Sequence, residues 1–208
     1  VVFLEPDEIF QVGAQIRALL AGYSARPAVP VATSGGEDMA VRELRFLGDP
    51  VLSTAADPVT KFDHKLRALV TDLLDTVLLP GRAGLAAPQI GVGLRVFSYN
   101  VGGLHGYVIN PEIEELSEET QEGPEGCLSV PDLWFPTRRA AEATVTGVDV
   151  DNKPISVTGM RELARCLQHE TDHLDGMLYL DRLEPELRKE ALRQARNSDW
   201  FWRGEARA

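Results

Sequence analysis

The chain has 208 residues, a quarter of them charged, and a formal net charge of -11. That length can bury a substantial core as one domain with extensions, while the acidic balance argues against a broad nucleic-acid surface. No apolar run reaches the roughly 18 residues that a membrane-spanning helix needs, and the N-terminus lacks a basic region followed by an apolar block. Two cysteines offer no disulfide framework, so a reducing cytoplasm is the expected location.

Residues 1–41 read as an N-terminal extension. Pro6 to Leu20 carries Ile9, Val12, Ile16, Leu19 and Leu20 at helical spacing behind the acids Asp7 and Glu8. Arg26 to Glu37, with two prolines, two adjacent glycines, Thr33 and Ser34, reads as a linker. Core patterning is expected over residues 42–183. It starts with Leu44 to Leu47 ahead of an Asp49-Pro50 turn, and its clearest helix runs from about Asp63 to Leu79. There Leu66, Leu69, Val70, Leu73, Leu74, Val77 and Leu78 form one apolar stripe, ended by Pro80-Gly81.

Short strands are predicted at Leu94 to Tyr99, Gly106 to Ile109, Ile113 to Leu116 and Ala143 to Val150. A turn at Asp151-Asn152 leads to a further strand from Pro154 to Val157. A helix from about Met160 to Leu174 follows, capped by Thr158 and closed near Gly176. The last segment, residues 184–208, carries a helix from Pro185 to Asn197. Short strands with helices inserted late argue for an α+β fold rather than alternating βαβ units.

The helix ending at Leu174 carries the chemistry. His169 and His173 stand four residues apart on one helical face, so both imidazoles can reach one ion. Glu170 is offset from them, which lets it address an attacking water rather than the metal, as in H-E-x-x-H hydrolases. A catalytic centre of this kind takes three protein ligands and keeps one position open. The metzincin pattern is followed through Gly176 but has Tyr179 where its last histidine belongs. Glu184, Glu186 and Glu190, the glutamates a thermolysin-like arrangement would use, fall in a mixed-charge stretch that reads as a solvated helix. Cys166 lies about 10 Å along the helix axis from His173 at ~1.5 Å per residue, and reads as a small buried packing residue. Cys127, in Glu125-Gly126-Cys127-Leu128-Ser129, a glycine-preceded turn into a short apolar strand, could approach the helix from a neighbouring element.

Three separated segments resemble the peptide deformylases: Gly84-Leu85-Ala86-Ala87-Pro88-Gln89, Glu125-Gly126-Cys127-Leu128-Ser129 and Gln168-His169-Glu170-Thr171-Asp172-His173-Leu174. In this order and spacing they are specific, and the resemblance extends from about Arg42 to Leu183. It implies antiparallel or mixed sheets around a central metal-binding helix, with Cys127, His169 and His173 as ligands and Glu170 as the general base. Gln89, through its side-chain amide, and Leu128, through its backbone N–H, are then the donors to a developing oxyanion. Ala83, Gly84 and Gly126 would hold the peptide as an added strand, and Cys166 would line the methionine pocket.

The resemblance further implies removal of the formyl group from N-formylmethionyl peptides, with Fe2+ as the ion and Zn2+, Ni2+ or Co2+ as substitutes. The C-terminal segment has two readings: a contact with the ribosome, since the family's substrates are nascent chains and Arg182, Arg188, Lys189, Arg193 and Arg196 outnumber Glu184, Glu186 and Glu190 there, or a solvated mixed-charge helix. The rival enzyme is an H-E-x-x-H metallopeptidase with a glutamate as third ligand. Arg82 stands where the family usually has glycine, and Gly81 is positioned to supply any left-handed turn. Arg165 is expected to turn its charge outward, Asp172 to pair with Arg138 or Arg139, and His64 and His105 to be incidental. Trp134 either edges the substrate groove or packs, and Trp200 and Trp202 are read as local packing or disorder.

Overall fold

The computed structural model describes residues 42–201. The expected helix of Pro6 to Leu20, its linker and Trp202 lie outside those residues. After a 3-10 turn at Pro50–Ser53, whose first amides are capped by Asp49, helix α1 spans His64–Val77. Asp63 begins it by accepting the N–H groups of Lys65 and Leu66, the usual service of an aspartate at a helix start. Leu66, Leu69, Val70, Leu73 and Val77 are buried from the predicted stripe, while Leu78, just past the last turn, is exposed.

Seven strands follow: β1 (Gly84–Ala86), β2 (Val96–Val101), β3 (Leu104–Leu116), β4 (Thr120–Cys127), β5 (Val130–Ala140), β6 (Glu142–Val148) and β7 (Pro154–Met160). All named pairings are antiparallel. Five strands form one sheet in the order β1-β2-β3-β6-β7, and β4 pairs with β5 in a separate hairpin. The central helix α2 spans Glu162–Leu174, and α3 spans Pro185–Arg196.

The period-two geometry of a strand explains how the larger sheet divides its core. Leu85, Val96 and Ile109 face α1 with Leu69 and Leu73. Their neighbours Ala86, Phe97 and Val108 face α2 with Leu163, Leu167 and Leu174. A third cluster joins Cys127, Val130, Leu133 and Phe135 of the hairpin to Tyr179, Leu180 and Ala191, Ala195 of α3. Helix α2 is therefore enclosed, and every residue from Leu163 to Leu174 is buried.

Several expected boundaries are corrected. The two strands at Gly106 to Ile109 and Ile113 to Leu116 are one, interrupted by register shifts around Asn110 and Pro111, where a bulge tolerates a residue without an N–H. Strand β7 runs on to Met160 by pairing with β6, so Thr158 belongs to the sheet and shares a hydrogen bond with Thr144 instead of capping α2. The cap position is Arg161, at φ 51°, with no side-chain cap bond. Gly176 closes the far end at φ 74°. Of the long β4–β5 hairpin the sequence predicts only the turn at Cys127 and a short strand after it; strand β4 and the length of β5 are additions of the structure. Gly81 takes φ 78°, and Arg82 stays out of the left-handed region.

Candidate metal centre

Cys127 ends β4, and the two-residue turn Leu128-Ser129 returns the chain into β5. This hairpin lies over α2, because Ala140 N–H donates to Gln168 Oε1 at 3.0 Å and Arg139 pairs with Asp172. Cys127 is thereby carried to the histidine face. One ligand atom each from Cys127, His169 and His173 lie within 4.8 Å of one another, all three residues buried. Cys127 Sγ is 3.2 Å from His173 Nε2. Among the described residues this is the one group of side chains so arranged.

The donor set suits a divalent ion. Burial lowers the pKa of both imidazoles, most strongly at His173, so both offer neutral lone pairs. Burial pushes the Cys127 thiol up to about 12, against the Ser129 N–H that donates to its sulfur and with the Glu170 carboxylate adding to the rise. A buried thiolate between two neutral rings calls for a cation, and soft sulfur with imidazole nitrogen fits Zn2+ or Fe2+.

Glu125, two residues before Cys127, is fully buried and aims Oε1 at His169 Nδ1 at 2.7 Å. Burial acts to raise its pKa, but the bonds and charges of His169 and Arg139 overcome that and hold the carboxyl far below the usual range. Being ionised, Glu125 only accepts, so Nδ1 carries the proton and Nε2 faces the centre. Such a carboxylate fixes the ring and raises its basicity. Arg139 grips Glu125 with a fork of 3.1 and 2.6 Å, and Arg165 Nη1 donates to its other oxygen at 2.6 Å. Arg165 thus points inward, contrary to expectation: its 5% exposure reflects a partner deep enough to hold the charge. Asp172 pairs with Arg139 at 2.6 Å, as one of the two expected options. Arg138 instead donates to Thr120.

Glu170 is buried, and its Oε2 has no hydrogen-bond partner. Burial raises its pKa to about 8. Gln89 is oriented end for end: its Oε1 accepts Ala86 N–H at 2.9 Å, which turns its amide nitrogen toward Ser129 Oγ at 3.1 Å and Cys127 Sγ at 3.5 Å. Cys166 donates its thiol to Ala83 O at 3.2 Å and stands outside the three-atom group, as a buried residue beside Gly84. Gly84 begins β1, the edge strand of its sheet, and Gly126 is covered by the Trp134 ring. Trp134 itself is 40% exposed.

The glutamates of the rival arrangement are elsewhere. Glu190 is engaged by Arg193 and Gln194 on α3, and Glu184 and Glu186 are exposed. His64 and His105 are exposed as well, away from the three ligands. Trp200 packs near Phe46, with ring centroids 6.1 Å apart. Glu125 and the two arginines that grip it are what the sequence reading missed. The signal available was an acid in the Cys127 motif, an arginine on the motif helix and another in the stretch between them, which is too common to single them out.

A sequence model described as Polypeptide deformylase matches residues 41–189. The chain is 54% identical over 162 residues to a peptide deformylase of Acidothermus cellulolyticus, covering 78% of this chain and 89% of that one. It is 51% identical over 167 residues to peptide deformylase 1 of Corynebacterium glutamicum, covering 78% and 99%. Among solved structures, a peptide deformylase from Legionella pneumophila superposes with a TM-score of 0.72 at 41% identity, covering 81% and 99%.

Proposed function

The chain belongs to the polypeptide deformylase family, and from that membership and the centre's geometry we infer a metal-dependent hydrolase that removes the N-terminal formyl group from formylmethionyl polypeptides. The observation that carries the reading is the convergence of one thiol and two imidazoles within 4.8 Å beside a buried carboxylate whose Oε2 is unpartnered. Cys127, His169 and His173 are proposed as the ligands, with Fe2+ as the ion and Zn2+, Ni2+ or Co2+ able to replace it. Held by these three side chains, such an ion would supply Lewis acidity and lower the pKa of water enough for a nucleophile near neutral pH.

Glu170 is proposed to take a proton from the attacking water as its oxygen adds to the formyl carbon. Gln89 Nε2 and the Leu128 backbone N–H donate to the oxyanion that develops; losing one such donor typically costs about 3 kcal/mol in the barrier. Glu170 then hands its proton to the amine nitrogen as the C–N bond breaks, and formate and the free N-terminus leave. The fixed orientation of Gln89 supports this role, because its donor end is already committed to the Cys127 side.

The edge of β1 and the strand end at Gly126 are proposed to bind the peptide backbone, which gives affinity with little demand on downstream side chains. Ala83 takes part through groups other than its carbonyl, which already accepts Asn100 N–H and the Cys166 thiol. Cys166 is proposed as a wall of the methionine pocket. Residues 42–183 are proposed as the catalytic core, with residues 1–41 dispensable for chemistry and the segment 184–208 adding a helix. A cytoplasmic location goes with this substrate. Helix α3 buries Ala191 and Ala195 and exposes Arg188, Lys189, Arg193 and Arg196, a face proposed to meet ribosomal phosphate. Salt-insensitive ribosome binding, equal for the native chain and a charge-reversed helix, would remove that contact.

The decisive experiment is an anaerobic assay of formyl-Met-Ala against acetyl-Met-Ala, with metal analysis on the same sample. Turnover of the formyl peptide alone, by protein carrying about one ion per chain, is the expected result. Absence of that preference overturns the assignment.

A further inference from the structure

We infer that Arg182 is a positioning residue for the metal centre, acting through a series of ion pairs whose last carboxylate, Glu125, is hydrogen-bonded to His169. This role presupposes the ligand set proposed above. Arg182 leaves the short 3-10 turn Tyr179–Arg182 and forks onto Asp172, with Nη2 at 2.6 Å from Oδ1 and Nε at 3.1 Å from Oδ2. Asp172 Oδ2 also accepts Arg139 Nη1 at 2.6 Å. Arg139 in turn forks onto Glu125, whose Oε1 accepts His169 Nδ1 at 2.7 Å. The three intermediate side chains are at most 4% exposed, whereas that of Arg182 is 45% exposed. The series therefore runs from the protein surface to the ring of a ligand.

Its geometry gives Arg182 leverage that an ordinary surface pair lacks. Both oxygens of Asp172 are held by Arg182, and one of them is shared with Arg139. Without Arg182, Asp172 answers to Arg139 alone and is free to draw that guanidinium off Glu125. Inward of Arg182 no water-rich surroundings screen the shift, because Asp172, Arg139 and Glu125 are buried and charges in such a setting act strongly on one another. Arg165 stays on the second oxygen of Glu125, so that carboxylate keeps a positive partner. The consequence is a reorientation of Glu125 and a looser His169 ring, rather than collapse of the core. By contrast, Arg67 and Asp151 pair at 2.7 Å with both side chains about half exposed, and that pair leads to no ligand.

The test follows metal retention in the full chain. Native protein, Arg182→Ala, Arg182→Lys and Arg67→Ala are loaded anaerobically with Co2+, observed by thiolate-to-cobalt charge-transfer absorption, and then mixed with excess chelator. Uptake with that absorption by native protein checks the ligand set by itself; its absence defeats the ligand set, whatever the variants do. Given uptake, Arg182→Ala should release Co2+ about tenfold faster than native, the low end of what partners of metal ligands contribute. Arg182→Lys keeps the charge but loses the fork and should fall between them, while Arg67→Ala matches native. If Arg182→Ala fails to fold, faster release by Arg182→Lys supports the role and native-rate release overturns it. A lower melting temperature of metal-free Arg182→Ala combined with native release rates would mark the residue as a structural brace only and overturn the positioning role.

Discussion

A Cβ added to Gly84 would overlap the carboxylate of Glu170 and come within 2.8 Å of Cys166 Sγ. The first residue of the edge strand and the proposed general base thus share a space that only a glycine leaves open. Gly84→Ala is expected to fold, since β1 is short and Gly84 needs no left-handed backbone, but it must displace Glu170. Turnover of formyl-Met-Ala should drop by roughly 100-fold, the scale of a misplaced base, with metal content unchanged. Retention of native turnover would show that Glu170 can work from a different position.

Glu170→Gln should keep its metal and lose nearly all activity, because the proton acceptor is gone while Cys127, His169 and His173 are intact. The same variant makes a stability prediction for the metal-free protein. Burial raises the folded-state pKa of Glu170 from an ordinary 4.5 to about 8, so the folded state favours the protonated form. The contribution of that proton is fully present below the unfolded value and is lost as pH rises toward and through 8. Metal-free Glu170→Gln should therefore melt above native protein at pH 9 and close to it at pH 4. A nearby divalent cation favours the carboxylate, so the acid limb of the loaded enzyme's pH–rate profile is expected well below 8.

Arg82 gives the loop before β1 a second anchor. Its Nη1 donates to Thr76 O, a carbonyl in the last turn of α1, and its own carbonyl accepts Asn100 Nδ2. A cation at a helix C-terminus contributes roughly 0.3–1 kcal/mol. Arg82→Gly should lower stability by about that much and raise KM for formyl-Met-Ala a few-fold while kcat holds, because the loop leads into the edge strand proposed to bind the peptide and not to the reacting carbon. Steady-state kinetics decide; a fall in kcat with KM unchanged would place Arg82 closer to the chemistry.

The bound ion should betray itself through oxygen. With iron beside the Cys127 thiolate, air or peroxide is expected to oxidise the metal or the sulfur and remove a ligand, whereas the nickel form should survive. Turnover of the iron, nickel and zinc forms before and after peroxide tests this. A fully active zinc form together with an iron form no more sensitive than nickel would count against iron.

What could be read from the chain alone was local chemistry. The four-residue step from His169 to His173 sets two rings on one helical face, and the apolar stripe of α1 survives folding because both patterns depend only on helix periodicity. The resemblance to the family is legible because it rests on the identity, order and spacing of three short motifs, none of which needs the tertiary structure to be read. Most of the β4–β5 hairpin is illegible in the sequence because Glu122-Gly123-Pro124-Glu125-Gly126 in β4 and Pro131, Asp132 and Pro136 in β5 are poor strand formers, and cross-strand pairing overrides that weak preference. The hairpin decides the rest: it brings Cys127 to His173 across 46 residues, Glu125 to His169 across 44, and Arg165 to Glu125 across 40. Whether a charged side chain faces solvent or a buried partner is settled by which segments meet, and that long-range packing turns Arg165 inward onto Glu125 where its place on the helix suggests a surface.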